Sequence, residues 1–311
     1  MDAVHSERSV RAALGWLAEP GDQRLQQVLQ VHGPAEVGHL LSRGQVPVAV
    51  RAELRNLPRP LLWEQASAAL ARAERTGWRV VIPSDEQWPA GLSTVVDGWQ
   101  PICLWACGPG QLPQLTTSVT VVGSRAATSY GQHLAAGLAG ELAARGWTVV
   151  STPAFGVDGC ALRGALVADP ARAVAVVPHG GDQIHPPQQR TLLGQLAERG
   201  LLVSAWPAGA RPNHERRRVN LTLLAAMSAG TVVVEASLRS AAVQVARRAA
   251  AAGRLGMVVP GPVTSAMSAG CHHLLRTDGR IRLVTDVDDI VADLPHRGDQ
   301  PRPGVWDDRH A

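Results

Sequence analysis

The chain has 311 residues, of which 45% are hydrophobic and 18% charged, and its formal net charge is +4. This balance excludes a wholly disordered chain, because buried apolar side chains can offset chain entropy. The length predicts a large α/β domain with a smaller companion. All 30 basic residues are arginine, which stays protonated and binds phosphate through two parallel hydrogen bonds. A modest net charge can therefore conceal a basic patch.

Neither a membrane span nor a metal site is predicted. No stretch approaches the roughly 18 apolar residues of a spanning helix, and residues 1–10 have no apolar signal-peptide core. The cysteines have no paired metal-ligand spacing; they are Cys103, Cys107, Cys160 and Cys271. We expect a cytoplasmic protein with reduced thiols, no metal and no cofactor.

The first part of the chain has the periodicity of helices. Leu25, Val28 and Leu29 mark one apolar face. Segments rich in proline and glycine interrupt the pattern; they are Glu19–Asp22, His32–Pro34 and Leu57–Pro60. We predict a small helical domain over residues 1–76.

From Trp78 the pattern changes to short β-branched runs at 79–82 and 102–105. After Gln114, apolar strands alternate regularly with helices, as in a parallel sheet that helices cover on both faces. The helices are expected at about 130–145, from about 157, at 189–198 and at 218–229. We predict a doubly wound, mostly parallel, Rossmann-like α/β domain over residues 77–294 and a flexible tail over 295–311.

The loop after the strand at 119–122 is a candidate phosphate cradle. A helix follows this small-residue loop, and the unpaired N–H groups of a helix N-terminus attract anions. The candidate residues are Gly123, Ser124, Arg125 and Thr128. The loop has neither the dinucleotide-binding nor the nucleotide-hydrolysing glycine pattern, so neither a redox cofactor nor ATP hydrolysis follows. An ordinary turn with Thr128 or Ser129 as N-cap explains the local pattern equally well.

The loop after the next strand adds Phe155 and Gly156 on the same carboxyl edge of the sheet, where ligands of open α/β sheets bind. Phe155 could stack on a base, although a single phenylalanine often serves packing. We expect Asp158 to be an N-cap rather than a catalytic base.

Two further loops carry arginine. Arg216, Arg217 and Arg218, followed by Asn220, form the densest basic patch of the chain. Phosphate binding is one interpretation, and a solvated face that Glu215 partly neutralises is the other. Arg239 and Ser240 follow a later strand.

We predict turns around His179 and His185, and no Ser/His/Asp catalytic set is recognisable.

Five motifs, in order, resemble those of the DNA-processing protein A family (DprA, also called Smf). The first reads Gly-Ser-Arg-x-x-Thr-x-Tyr-Gly and matches without a mismatch. The five are Gly123–Gly131, Ser151–Leu166, His185–Arg190, Val233–Ser240 and Val259–Gly270. With the helical segment that contains Glu19–Asp22, and with Trp78 and Trp88, the resemblance extends to Ile290 in the style of actinobacterial members.

The resemblance implies a dimeric, non-catalytic protein that protects incoming single-stranded DNA during natural transformation and loads the RecA recombinase. It also implies a Rossmann-like domain preceded by a small helical domain of the SAM/HhH type. Ser124, Arg125 and Thr128 would hold phosphates, with Arg216–Arg218 on an adjoining wall. The full candidate DNA-binding set is Gly123, Ser124, Arg125, Thr128, Phe155, Gly156, Arg216, Arg217, Arg218, Asn220, Arg239 and Ser240.

The chain also departs from the family pattern. Thr152 and Leu162 replace a usual Gly and His, Asn220-Leu-Thr replaces Arg-Asn-Arg, and Ala241 replaces Gly. We also expect the chain to lack the C-terminal winged-helix domain that many members have. Two alternatives therefore stay open: a Rossmann-like sensor or enzyme acting on a nucleotide or nucleoside phosphate, and a degenerate regulatory paralogue.

Overall fold

The computed structural model describes residues 6–16, 18–43, 59–94 and 99–294. Its contacts divide the chain into two compact units. The first unit holds the described residues of Met1–Leu112 and Val174–Asn220, and the second holds those of Pro113–Ala173 and Leu221–Ala311.

Helices and strands alternate along most of the described chain, which confirms the predicted α/β class. The described helices are α1 Glu7–Leu14, α2 Gln23–Ser42, α3 Arg59–Arg75, α4 Ser129–Ala144, α5 Val157–Ala168, α6 Arg190–Arg199, α7 His214–Ala226, α8 Ala241–Ala251, α9 Ala269–Thr277 and α10 Val287–Asp293. The strands are β1 Trp78–Val81, β2 Leu104–Cys107, β3 Ser118–Val122, β4 Thr148–Ser151, β5 Ala173–Val177, β6 Leu201–Ser204, β7 Gly230–Val233, β8 Leu255–Val258 and β9 Ile281–Leu283.

In the first unit the strands lie in the order β1, β2, β6, β5. β1 pairs with β2 and β2 with β6 in antiparallel register, whereas β5 and β6 are parallel. Every residue of β2, β5 and β6 is buried, as expected for strands covered on both faces. The antiparallel pair therefore forms the edge of an otherwise parallel arrangement.

The helical segment of the first unit has its own apolar cluster. Val10 and Leu14 of α1 pack with Leu25 and Val28 of α2 and with Ile102, which precedes β2. The predicted apolar face of α2 is therefore correct. Its backbone leaves helical geometry at Gly33, within the predicted break.

An ion pair joins α1 to the turn after β1. The two terminal guanidinium nitrogens of Arg8 donate to the two carboxylate oxygens of Asp85, each over 2.8 Å. The Arg8 guanidinium also donates to the carbonyl of Val80. The Arg8 hydrogen bond lowers the pKa of Asp85, and burial opposes this effect. The helical segment and the edge strands are thus linked within one unit, and the predicted boundary at 76/77 stays a prediction.

The second unit contains a fully parallel arrangement in the order β4, β3, β7, β8, β9. All residues of β3, β4 and β7 are buried. Because the strands are parallel, the loops that follow β3, β4, β7 and β8 share one edge. The prediction of a mostly parallel sheet is confirmed.

Some predicted boundaries shift. Helix α7 begins at His214 rather than near Arg218, because the Asn213 carboxamide oxygen accepts the Arg216 amide over 2.8 Å and caps the first turn. The break predicted at Leu57–Pro60 lies partly outside the described residues, and the predicted tail at 295–311 lies wholly outside them. In the part of the chain that the structure describes, no helix has the length and apolar character needed to cross a membrane.

Helices α4 and α5 pack closely through glycine. A Cβ atom added at Gly164 of α5 would lie 2.1 Å from the carbonyl oxygen of Ala136 in α4. A Cβ at Gly140 would lie 3.3 Å from the Gly164 carbonyl oxygen. These neighbours are backbone atoms, which cannot rotate away, so the two helices depend on the missing side chain.

We predict that Gly164→Ala lowers the free energy of unfolding by about 1–3 kcal/mol, because overpacking outweighs the better helix propensity of alanine. Gly137→Ala is the matched control, since Gly137 is exposed on α4 and no atom lies within 4 Å of its added Cβ. The control should have a free energy of unfolding about 0.5–1 kcal/mol higher than that of the parent protein. Urea unfolding measures both variants, and equal effects would contradict the close helix packing.

Candidate functional site

Glu235, just after β7, binds the loop that follows β3. Its carbonyl oxygen accepts the Ser124 amide over 2.6 Å. Its carboxylate accepts the Thr128 amide (2.9 Å) and the Thr128 hydroxyl (2.6 Å). Glu235 is only 4% exposed. The acceptor at the N-terminus of α4, where the sequence predicted a bound phosphate, is therefore an internal carboxylate.

The start of α4 fits this carboxylate closely. Thr128 is the N-cap, one of the two residues that the ordinary-turn interpretation offered, and its hydroxyl oxygen accepts the Gly131 amide over 3.2 Å. A Cβ atom at Gly131 would lie 2.2 Å from the Glu235 carboxylate. Gly131 is thus required because the side chain of Glu235 occupies the space beside it.

Arg125 is the exposed functional group of the loop. The Ser124 hydroxyl is engaged, since it donates to the Met267 sulfur over 3.4 Å and accepts the Ala126 amide over 3.2 Å. Arg125 and Ala126 are exposed. Within the described residues, Arg125 forms no ion pair, and the amides of Arg125 and Ala127 have no acceptor. The loop therefore offers a guanidinium group and two N–H groups to an anion.

Phe155 lies in the loop after β4 and is 45% exposed. The next residue, Gly156, has a φ of 74° and precedes α5. A Cβ atom there would lie 2.2 Å from the Ser124 carbonyl oxygen. Gly156 thus allows two adjacent loops to touch, while Phe155 projects toward solvent.

Asp158 was expected to cap α5, and this was wrong. Gly156 is the N-cap residue, and Asp158 lies inside the first turn. Its carboxylate accepts the Gly123 amide over 2.9 Å and the Thr152 hydroxyl over 2.6 Å. Burial raises the pKa of Asp158 to about 6, against the opposing effects of Thr152, Gly123 and the nearby Arg125. Thr152, a departure from the family pattern, thus supplies a hydrogen bond to a buried carboxyl group.

The loop after β7 contributes one exposed cation. Arg239 is exposed and has no ion pair among the described residues. Ser240 is the N-cap of α8, and its hydroxyl oxygen accepts the Ala242 amide over 3.3 Å. Ala241 is exposed in the first turn of α8. The arginine is therefore available to a ligand, whereas the Ser240 oxygen already serves the helix.

The remaining candidates belong to the first unit, where the arginine run forms the first turns of α7. Arg216 donates to the Glu19 carboxylate, with Nη2 at 2.8 Å and Nε at 3.1 Å. The other carboxylate oxygen of Glu19 accepts the Trp206 indole N–H over 2.6 Å. Arg218 pairs with Glu215 over 3.0 Å. Internal carboxylates therefore neutralise two of the three arginines.

Arg217 and Asn220 differ in their exposure. Arg217 is exposed and has no ion pair within the described chain. Asn220 is 2% exposed, and its side-chain N–H donates to the Val176 carbonyl over 3.1 Å. Asn220 thus packs α7 against β5 and presents no surface to a ligand in this conformation.

The histidines of the first unit lie in the predicted turn region. His179 is buried, and its Nδ1 lies 2.9 Å from the Gly180 carbonyl oxygen. The His179 and His185 rings meet edge to face at 6.2 Å. Burial lowers the pKa of both imidazoles. Over the described ranges, no group of three or more metal-ligating side chains comes together.

Sequence reasoning missed two carboxylates, Glu235 and Glu19. The first had a usable signal, because a lone acid directly after a buried strand can serve a neighbouring helix N-terminus. The second had none, since Glu19 and Arg216 are almost two hundred positions apart. These two carboxylates determine which arginine side chains and N–H groups remain available to a ligand.

We predict that Asp158 makes stability depend on pH. Its pKa of about 6 is above the ordinary aspartate value, so the folded state holds a proton that the unfolded chain has lost between about pH 4 and 6. The stabilisation is therefore present below this window and lost as pH rises through it, by up to about 3 kcal/mol.

Asp158→Asn should remove this dependence of stability on pH, because an amide keeps a similar shape without ionising. Urea unfolding of both proteins at pH 4, 5, 6 and 7 measures the effect. The asparagine variant should gain stability relative to the parent as pH rises. Parallel curves would show that Asp158 has an ordinary pKa.

Comparisons with known proteins agree with this architecture. The family model described as DNA recombination-mediator protein A matches residues 79–295. The chain is 40% identical over 308 residues to the DNA processing protein DprA of Mycobacterium tuberculosis, covering 94% of this chain and 78% of that protein.

Two solved structures share the fold. DprA of Streptococcus pneumoniae superimposes with a TM-score of 0.72 at 22% identity, covering 93% of this chain and 98% of that one. DNA processing protein A of Helicobacter pylori, whose structure is described as showing a single-stranded DNA binding mode, superimposes with a TM-score of 0.61 at 24% identity. The match covers 69% of this chain and 94% of that one. From the family-model match and the mycobacterial relative together, the chain belongs to the family of DNA recombination-mediator protein A, also called DprA.

Proposed function

We propose that this protein binds single-stranded DNA along the carboxyl edge of the second unit. Family membership supports the general activity, and the Helicobacter pylori relative is described as binding single strands. The observation that carries the proposal is the loop after β3. There Arg125 is exposed and unpaired among the described residues, beside two amides without acceptors.

The loop suits a phosphodiester backbone. A guanidinium group binds two phosphate oxygens in one plane, and backbone amides add donors that do not read sequence. The Glu235 carboxylate binds the N-cap residue Thr128 behind the loop, so we place the phosphate on the outer side of the loop, beside Arg125. Arg239 adds a second cation on the same edge. Phe155, exposed in the neighbouring loop, offers a face for base stacking.

The other candidate residues have different roles, from binding phosphate to shaping the loops. Arg217 is the member of the basic run that is ready to bind phosphate, because Arg216 and Arg218 each face an internal carboxylate. We assign the Ser124 and Thr128 hydroxyls to shaping the loop. Gly123 and Gly156 allow the close approach of neighbouring loops, and the Ser240 hydroxyl caps α8.

The proposal extends to the biology of the family. The resemblance supports a cytoplasmic dimer that protects incoming single strands during natural transformation and loads RecA onto them. Contacts to phosphate and base faces leave the base edges free for pairing, as recombination requires. The same contacts imply little sequence preference.

We predict that Arg125→Ala weakens binding to oligo-dT and reduces the slope of log affinity against log salt by about 0.7, because one fewer counterion is released. The matched control is Arg172→Ala. Arg172 lies beyond the C-terminal end of α5, away from the loops of the carboxyl edge, and pairs with Asp169 over 3.7 Å. Fluorescence anisotropy at several salt concentrations measures both. A slope that Arg125→Ala leaves unchanged would remove Arg125 from the phosphate site.

The same pair of variants tests recombinase loading. Wild type and Arg172→Ala should accelerate RecA assembly on a single strand that a competing single-strand-binding protein already covers, and Arg125→Ala should do so in proportion to its residual affinity. Failure of wild type to accelerate assembly, despite tight DNA binding, would restrict the function to DNA protection.

We further predict that Glu19→Gln tightens DNA binding and increases the salt slope by up to about 0.7, because Arg216 loses its anionic partner and can bind phosphate instead. A glutamine oxygen can still accept the Trp206 N–H, and Arg216 also donates to the Arg211 carbonyl over 2.9 Å, so we expect the local structure to be retained. Glu215→Gln is the control for general loss of negative charge near α7. An identical response of the two variants would show that the Glu19 contact does not mask Arg216.

A further inference from the structure

The aromatic residues of this chain divide into two groups. The protein has nine tryptophans but a single phenylalanine and a single tyrosine. Most described tryptophans are buried, namely Trp78, Trp88, Trp105, Trp147 and Trp206. Phe155 and Tyr130 are instead 45% and 49% exposed. The core therefore uses tryptophan, and the two smaller aromatic types face solvent.

Tyr130 is held in place although it is exposed. It is the second residue of α4, and its hydroxyl donates to the Pro260 carbonyl over 3.1 Å. Pro260 belongs to the loop after β8. The hydroxyl contact ties the ring at the start of α4 to this loop of the carboxyl edge. A fixed ring loses little conformational entropy when a ligand stacks on it.

The two exposed aromatic side chains are associated with different loops of the carboxyl edge. Phe155 follows β4, and the Tyr130 hydroxyl reaches the loop after β8. The strand order is β4, β3, β7, β8, so β4 and β8 lie on either side of β3. Arg125, in the loop after β3, therefore lies along this edge between the loop of Phe155 and the loop that the Tyr130 hydroxyl contacts.

We propose that Tyr130 is a base-stacking residue that, together with Phe155, makes the site select single strands over duplex. This inference rests on the proposed DNA-binding function. An aromatic face stacks on any exposed base and contributes about 1–3 kcal/mol per base. In a duplex the bases already stack on one another, so Tyr130 gains nothing there. The phosphate contacts of Arg125, in contrast, serve either form.

The decisive comparison uses two oligonucleotides with the same number of phosphates, oligo-dT and an abasic strand of equal length. Tyr130→Ala should reduce affinity for oligo-dT by roughly 5- to 150-fold and leave affinity for the abasic strand unchanged. It should also narrow the preference of the protein for oligo-dT over duplex. Tyr130→Phe, which keeps the ring and loses the Pro260 contact, should restore most of the loss.

Val167→Ala is the matched surface control, because Val167 is 85% exposed on α5 and lies outside the carboxyl-edge loops. Equal losses on oligo-dT and on the abasic strand would overturn the stacking role and assign Tyr130 to loop structure. No loss on either strand would also overturn it. Failure of the wild-type protein to bind either strand is a different result, since it defeats the proposed function itself.

Discussion

The carboxyl edge of the second unit depends on the buried carboxylate of Glu235. Helix α4 begins with N–H groups that need acceptors, and Glu235 supplies two oxygens to Thr128 while its carbonyl binds Ser124. Without these bonds the loop after β3 would lose its anchor to β7. The same loop carries the exposed Arg125, and Tyr130 lies in the first turn of the helix that this anchor precedes.

A second theme is the internal pairing of arginine. The chain has no lysine, and its net charge is only +4. Glu19 and Glu215 neutralise Arg216 and Arg218. The net charge therefore does not measure how much positive charge is available to DNA. That depends on the described arginines that form no ion pair, such as Arg125, Arg217 and Arg239. Phosphate contacts do not distinguish a single strand from a duplex, so we propose that selectivity comes from the exposed aromatic side chains.

The sequence predicted the α/β class and the parallel strands and offered Thr128 as one of two possible N-caps, because these features depend on local periodicity and on short-range hydrogen bonding. It also placed several candidates on one edge of the sheet. It did not predict the start of α7 or the position of Asp158, because each depends on a specific side-chain partner. Asn213 extends α7, and Gly156 takes the cap position before α5. The Glu19 contact to Arg216 depends on tertiary structure alone, which no local pattern encodes.

We propose that the protein binds single-stranded DNA through backbone and stacking contacts. The experiment to make is a titration of the wild-type protein against labelled oligo-dT and its matched duplex at two salt concentrations. We expect submicromolar binding that weakens with salt and favours the single strand. No binding, or equal affinity for the duplex, would contradict it.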